Sequence, residues 1–260
     1  MGTPNRFAIR EVALATFYSL KTGDAIVQLD SLKSSGIENT ASTVYAMGGR
    51  GNPKLVGFSS DREARFTLED ALFDVKAIAM MTGNSIIEDT KDIYKREILV
   101  VGSDKVTLSD VPVGESVISL FKLQEDGSHG EELFEGVDLL DPDTDFIVNG
   151  SDIEFETGEL DDGTSVVVYY QYASKPTSKT ITVSSDKFAG TYKLVLDCLV
   201  RDAFTKEDYE AQIVVHNAKL EDEWSMNFAP DGDPATFTMN LEALKPVHTK
   251  DLYTMTIYED

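Results

Sequence analysis

Asp141-Pro142-Asp143-Thr144-Asp145 sets carboxylates at alternate positions, as at the start of a calcium loop. A helix-flanked calcium loop would continue with Gly at its sixth position and a bidentate Glu at its twelfth. Phe146 and Asp152 stand there instead, so the stretch reads as a solvated acidic turn, with a structural ion as the competing reading. Glu131/Glu132 and Glu154/Glu156 are carboxylate pairs of the kind glycoside hydrolysis uses. Among 46 acidic residues such pairs arise by chance, and Trp224, the single tryptophan available as a sugar platform, alternates with Met226 and Phe228 as a core strand would. His129, His216 and His248 are scattered, with no His-x-x-x-His pair and no Gly-x-Ser-x-Gly elbow. His129 belongs to a Gly-rich turn and is expected in solvent. Cys198 falls in phase with Tyr192, Leu194, Leu196 and Val200, which makes it a small buried hydrophobe rather than a nucleophile.

Gly48-Gly49-Arg50-Gly51-Asn52-Pro53-Lys54 invites a phosphate-loop reading. The phosphate loop needs Gly-Lys-Ser/Thr opening a helix; here Pro53-Lys54-Leu55 opens a strand. A flexible, exposed loop fits better, and Gly48, Gly49, Arg50, Asn52 and Lys54 are its candidate contacts with a neighbouring subunit. These residues assemble no catalytic site and imply no cofactor or metal, and the chain is read as a non-enzyme.

Charge separates two regions. Residues 105–174 hold nine Asp and eight Glu against two Lys, a net of −15 out of −23, and leave −8 for the other 190 residues. Clustered Lys and Arg are what hold nucleic acid, so this balance argues against gripping DNA. One cysteine excludes an intramolecular disulfide framework. No apolar run reaches the roughly 20 residues of a membrane helix. Residues 8–20 resemble a leader only superficially, because Glu11 interrupts them and their pattern is strand-like. The chain is expected to be soluble and made in the cytoplasm.

The elements that would position these residues are mostly short alternating strands. Val12, Leu14, Ile26, Leu29, Val44 and Ala46 supply the first apolar faces, and Ala64 and Phe66 point inward between polar neighbours. One helix is expected over about residues 68–82. Thr67 caps it, Leu68, Leu72, Val75 and Ala79 form its stripe, and Gly83-Asn84 stops it. In the acidic region, Val106/Leu108, Val117/Leu120, Phe146/Val148, Ile153/Phe155 and Val166/Val168/Tyr170 read as strands separated by Gly-containing turns. Later, residues 192–200 pair with 211–216, and Pro230-Asp231-Gly232-Asp233-Pro234 turns the chain before its last strands. The fold class is mainly β, with one α-helix: a body from residues 1–104 and 175–260, plus a small inserted β domain at 105–174 whose strand spacing suits a small sandwich or barrel-like module.

Two stretches carry a resemblance. One runs Arg62-Glu63-Ala64-Arg65-Phe66-Thr67-Leu68-Glu69-Asp70-Ala71-Leu72-Phe73 and ends in Met80-Met81-Thr82-Gly83. The other runs Phe188-Ala189-Gly190-Thr191-Tyr192-Lys193-Leu194 and continues to Gly232-Asp233-Pro234-Ala235-Thr236-Phe237-Thr238-Met239-Asn240-Leu241. Together they resemble bacteriophage virion structural proteins, above all major tail tube proteins. The resemblance implies a β-sandwich or barrel body with one flanking helix, its subunits joined edge to edge into a homo-oligomeric ring, a hexamer, stacked into a tube that meets other tail proteins in the virion. The genome would pass through the bore without specific binding. A capsid decoration or other virion protein is the rival within that class, and a calcium- or ligand-binding β surface module the rival outside it.

Overall fold

The computed structural model describes residues 3–9, 11–141, 143–226 and 234–259. The chain divides into two compact units, Met1–Ile86 with Ile181–Asp260, and Ile87–Thr180. It is mainly β, with one α-helix among the described residues, and none of the sheets closes into a barrel.

The first unit opens with β1 (Phe7–Ile9), β2 (Leu14–Tyr18) and β3 (Ala25–Leu29). Two long strands follow, β4 (Leu32–Met47) and β5 (Lys54–Asp70), and then α1 (Val75–Thr82). The second unit contributes β6 (Ile87–Glu88), β7 (Asp92–Val100), β8 (Lys105–Thr107), β9 (Ser119–Leu123) and β10 (His129–Leu133). It continues with β11 (Phe146–Asn149), β12 (Asp152–Phe155), β13 (Ser165–Ala173) and β14 (Lys179–Thr180). The chain then returns to the first unit with β15 (Thr191–Asp202), β16 (Asp208–Leu220), β17 (Phe237–Ala243) and β18 (Tyr253–Tyr258).

In the first unit an antiparallel sheet runs β3-β2-β15-β16-β17-β5-β4, with β1 added to β15 and β18 to β16. Period-two alternation explains its core. Phe17 of β2, Ala64, Phe66 and Leu68 of β5, Leu194, Leu196 and Val200 of β15, and Phe237, Met239 and Leu241 of β17 are buried in one cluster. Cys198 is buried there as expected; burial, then the charges of Asp197 and Glu11, push its thiol upward, so it stays protonated and inert. Trp224 packs on the cluster edge-to-face with Phe237 at 6.2 Å, but no strand forms there. Phe228 and residues 230–233 of the expected turn lie outside the described residues.

The helix begins seven residues later than its periodicity predicts. Leu68 belongs to β5 opposite Met239, and the strand continues to Asp70, whose buried carboxylate accepts from the Ser31 hydroxyl and the Leu72 amide. The alternation of Ala64, Phe66 and Leu68 outweighs the helical phase of Leu68, Leu72 and Val75. The cap is Asp74, whose Oδ1 accepts from the amides of Lys76 and Ala77 at 2.7 and 3.0 Å. Gly83 ends the helix in the left-handed region, as expected. The buried stripe is Ala77, Ile78, Met80 and Met81, while Leu72 is exposed.

The second unit begins at Ile87, upstream of the acidic stretch, because β7 pairs with β13 along nine residues from Asp92↔Ala173 to Val100↔Ser165. A four-stranded sheet β10-β9-β13-β7 and a three-stranded sheet β11-β12-β8 contribute to one core. Leu120, Val166, Val168 and Tyr170 come from the first sheet, and Val106, Phe146, Ile153 and Phe155 from the second. The acidic side chains lie off this core. Glu97, whose side chain is mostly buried, is the instructive exception. Burial would raise its pKa, but hydrogen bonds from Lys95, Ser109 and the Tyr170 hydroxyl outweigh it and hold the carboxyl down to about 2.

Candidate assembly interface

The expected contact loop is the tip of a long hairpin. β4 and β5 stay paired from Leu32↔Asp70 out to Met47↔Lys54, and residues 48–53 close the turn. Gly49, Gly51 and Asn52 take positive φ, where Gly and Asn carry the least penalty, and the Asn52 amide donates to the Gly49 carbonyl at 3.0 Å. Arg50 is exposed and has no ion pair among the described residues. The Lys54 ammonium sits 3.9 Å over the Tyr45 ring. The turn thus brings Gly48, Gly49, Arg50, Asn52 and Lys54 together at one exposed end.

A register shift marks where this hairpin leaves the core. Thr40 pairs with Glu63 and Ser42 with Ser60, so β5 carries an extra residue there, and Asp61 sits at φ 50°. Such a bulge bends a strand and re-aims it. The Asp61 carboxylate accepts the Ser42 and Ser60 hydroxyls, which hold its pKa below the usual carboxylate range. On the body side Ala64, Phe66 and Leu68 are fully buried; on the far side every residue of β5 is exposed.

The exposed part is apolar on both faces. Register places Val44 opposite Phe58 and Ala46 opposite Val56 on one face, with Val44 66% and Phe58 63% exposed. Tyr45 lies opposite Gly57 on the other face, toward which Met47 and Leu55 also alternate, and all three large side chains are exposed. Val44 and Ala46 thus supply an apolar face that is exposed rather than packed on the core, and Leu14 is likewise exposed. The unbroken run Val44-Tyr45-Ala46-Met47 was the available signal, since a half-buried strand would alternate. Large exposed apolar surfaces are characteristic of interaction sites in general. Open edges add to it: β3 and β4 end the sheet, and each pairs on one side only among the described residues.

The sequence match bears on the same residues. A family model described as YomU/Tube protein family matches residues 7–257, from β1 to the last strand. The chain belongs to the YomU/Tube protein family. It is also similar to a protein named Tail tube protein of Bacillus phage SPR, at 29% identity over 102 residues. That match covers 38% of this chain and 39% of the phage SPR protein. In this YomU/Tube member the acidic turn at 141–145 is held by its own hydrogen bonds. The Asp141 carboxylate accepts from the Asp143 amide within its turn, and that of Asp145 accepts from the Phe134 amide across the loop. No group of three or more His, Cys, Asp or Glu is placed to hold a metal ion among the described residues. His129 is exposed, stacked on Phe121 with ring centroids 4.7 Å apart, and stands at the start of β10. No helix among the described residues is long and apolar enough to cross a membrane.

Proposed function

We propose that this chain is a structural tail tube subunit of a phage virion, polymerising into stacked hexameric rings whose bore conducts the genome. The observation that carries the reading is the β4–β5 hairpin, which holds Val44, Val56, Phe58, Tyr45, Met47 and Leu55 in solvent on its two faces. An isolated protein gains nothing from such a hairpin, whereas neighbouring copies in a stack bury both faces at once. The edges at β3 and β4, unpaired among the described residues, suit lateral joining, because a closed ring satisfies such edges by symmetry. Membership of the YomU/Tube family and likeness to a phage SPR protein named Tail tube protein support the same role. A net charge of −23 suits a conduit through which DNA, with a charge about every 1.7 Å of axis, slides without being held.

Electron microscopy of the purified protein tests this directly. Hollow tubes or rings are expected. The Arg50→Glu/Lys54→Glu variant is expected to keep the monomer's melting temperature and lose the tubes. A protein that stays monomeric at every concentration rules the proposal out, and unimpaired polymerisation of the double variant removes the hairpin tip from the contact.

A further inference from the structure

The second unit carries two complementary features, a groove and a loop, which do not meet each other among the described residues. The first is a groove of about 580 Å³ on the face of the four-stranded sheet turned away from its core. Tyr94, Arg96, Ile118, Phe121, His129 and Tyr169 line it. Register explains the grouping: Tyr169 faces Arg96 on β7 and Ser119 on β9, while Phe121 lies opposite Val167. The polar edge is organised, with Arg96 Nε donating to the Tyr169 hydroxyl at 3.1 Å and His129 Nε2 2.9 Å from the same oxygen. Residues 87–180 carry 22 Asp and Glu against seven Lys and Arg, yet no carboxylate lines this groove. Tyr94 is 76% exposed at its rim.

The second is the loop between β10 and β11. Val137 and Leu140 stand 97% and 90% exposed, with Asp138 and Asp141 beside them. The loop is anchored at its base. The Gly136 amide donates to the Phe146 carbonyl at 2.9 Å, the Asp145 amide to the Phe134 carbonyl at 2.9 Å, and the Phe134 amide to the Asp145 carboxylate at 2.7 Å. Two aliphatic side chains are therefore presented to water on a fixed turn, flanked by negative charge. No residue of the loop lines the groove of its own chain.

We propose that the Val137–Leu140 knob of one copy enters the Tyr94–Phe121 groove of a second copy, with Asp138 and Asp141 facing Arg96 and His129. Apolar meets apolar, and carboxylate meets cation at a groove that no carboxylate lines. The contact is heterologous, each copy giving its knob to one neighbour and its groove to another, so it propagates around a ring. It rests on the self-assembly reading but uses a different unit from the hairpin, and can be tested apart from it.

In a Cys198→Ala background, full-length protein bearing Leu140→Cys is mixed with full-length protein bearing Ile118→Cys, at concentrations up to about millimolar so that a weak contact registers without tubes. Oxidation is expected to yield at least tenfold more cross-linked dimer in the mixture than in either protein alone. Adding Arg96→Glu to the groove partner should cut that yield at least tenfold, and Asp138→Lys in the knob partner should restore it. Tyr94→Ala, a rim change that removes only exposed surface, should lower it independently. Enrichment without tubes upholds the contact and removes the tube reading; tubes without enrichment do the reverse. A mixture that cross-links no better than its components, or a groove that instead retains a neutral polysaccharide in a Tyr94-dependent way, overturns the proposal.

Discussion

Tyr45 and Gly57 face each other across the β4–β5 hairpin, and the tyrosine ring covers the glycine so closely that a Cβ at residue 57 would lie 3.1 Å from a ring carbon. Glycine weakens a strand by leaving nothing to pack, and here the opposite aromatic ring fills the gap. The same ring carries the Lys54 ammonium. One cross-strand pair therefore sets both the strand's flatness and the position of a cation at the tip.

Gly57→Val should displace that ring and release Lys54. The hairpin is exposed beyond the bulge, so monomer stability should change by no more than about 0.5 kcal/mol. Polymerisation should need a severalfold higher protein concentration. Melting curves and sedimentation of the same samples check the two halves; a loss of several degrees in melting temperature would show that the pair supports the fold instead.

Asp61→Ala addresses the bulge. Aspartate tolerates φ 50° better than alanine, and its carboxylate also ties Ser42 to Ser60. Placing alanine in the left-handed region costs about 1 kcal/mol, measurable by denaturant titration. Asp61→Gly should recover most of the stability and still assemble poorly, because the hydroxyl clamp that fixes the bend is missing.

How far these features were legible follows from what alternation encodes. Ala64 and Phe66 sit between the polar Glu63, Arg65 and Thr67, and Cys198 falls in phase with Leu194, Leu196 and Val200, so their burial was readable directly. Gly and Asn marked the tip at residues 48–54, since positive φ selects those types. Val44 and Ala46 mark an apolar face, but alternation does not state what covers it, and both are exposed. The helix start misled because Leu68 satisfies both periods, and its pairing with Met239 across β17, some 170 residues away, decided the matter. The groove was invisible for the same reason: Tyr94, Phe121, His129 and Tyr169 come from four strands that only the sheet order brings together.

Gly83→Ala should be among the most damaging single changes in the first unit. Its φ of 67° disfavours any side chain, and a Cβ there would fall 2.2 Å from the Phe188 carbonyl oxygen, a backbone atom with no rotamer to yield. A loss of about 2 kcal/mol or more is expected, against about 1 kcal/mol for Asp74→Ala at the helix's other end. Chemical denaturation of both variants checks the ranking, which reverses if the turn after the helix can shift freely.

Glu97 sets the acid limit of the second unit. Its pKa is held at about 2 in the fold against 4.5 for the free side chain. A depressed carboxyl contributes stability above its unfolded pKa and loses it as pH falls through the folded one. The contribution is therefore complete above about pH 5, declines below pH 4.5 and is gone near pH 2. Each pKa unit corresponds to about 1.4 kcal/mol, so the drop from 4.5 to about 2 sets an upper bound of about 3.5 kcal/mol. The Tyr170 hydroxyl, raised to about 12 by burial and by its 2.8 Å hydrogen bond to Glu97, stays protonated throughout and continues to donate. Glu97→Gln should lower stability at pH 7 by on the order of 2 kcal/mol, because Lys95 loses one of its two carboxylate partners and keeps Asp110 at 2.7 Å. It should also flatten the pH dependence between 4.5 and 2. Urea titrations of wild type and variant across that range give the comparison, and parallel pH profiles would remove Glu97 as the titrating group.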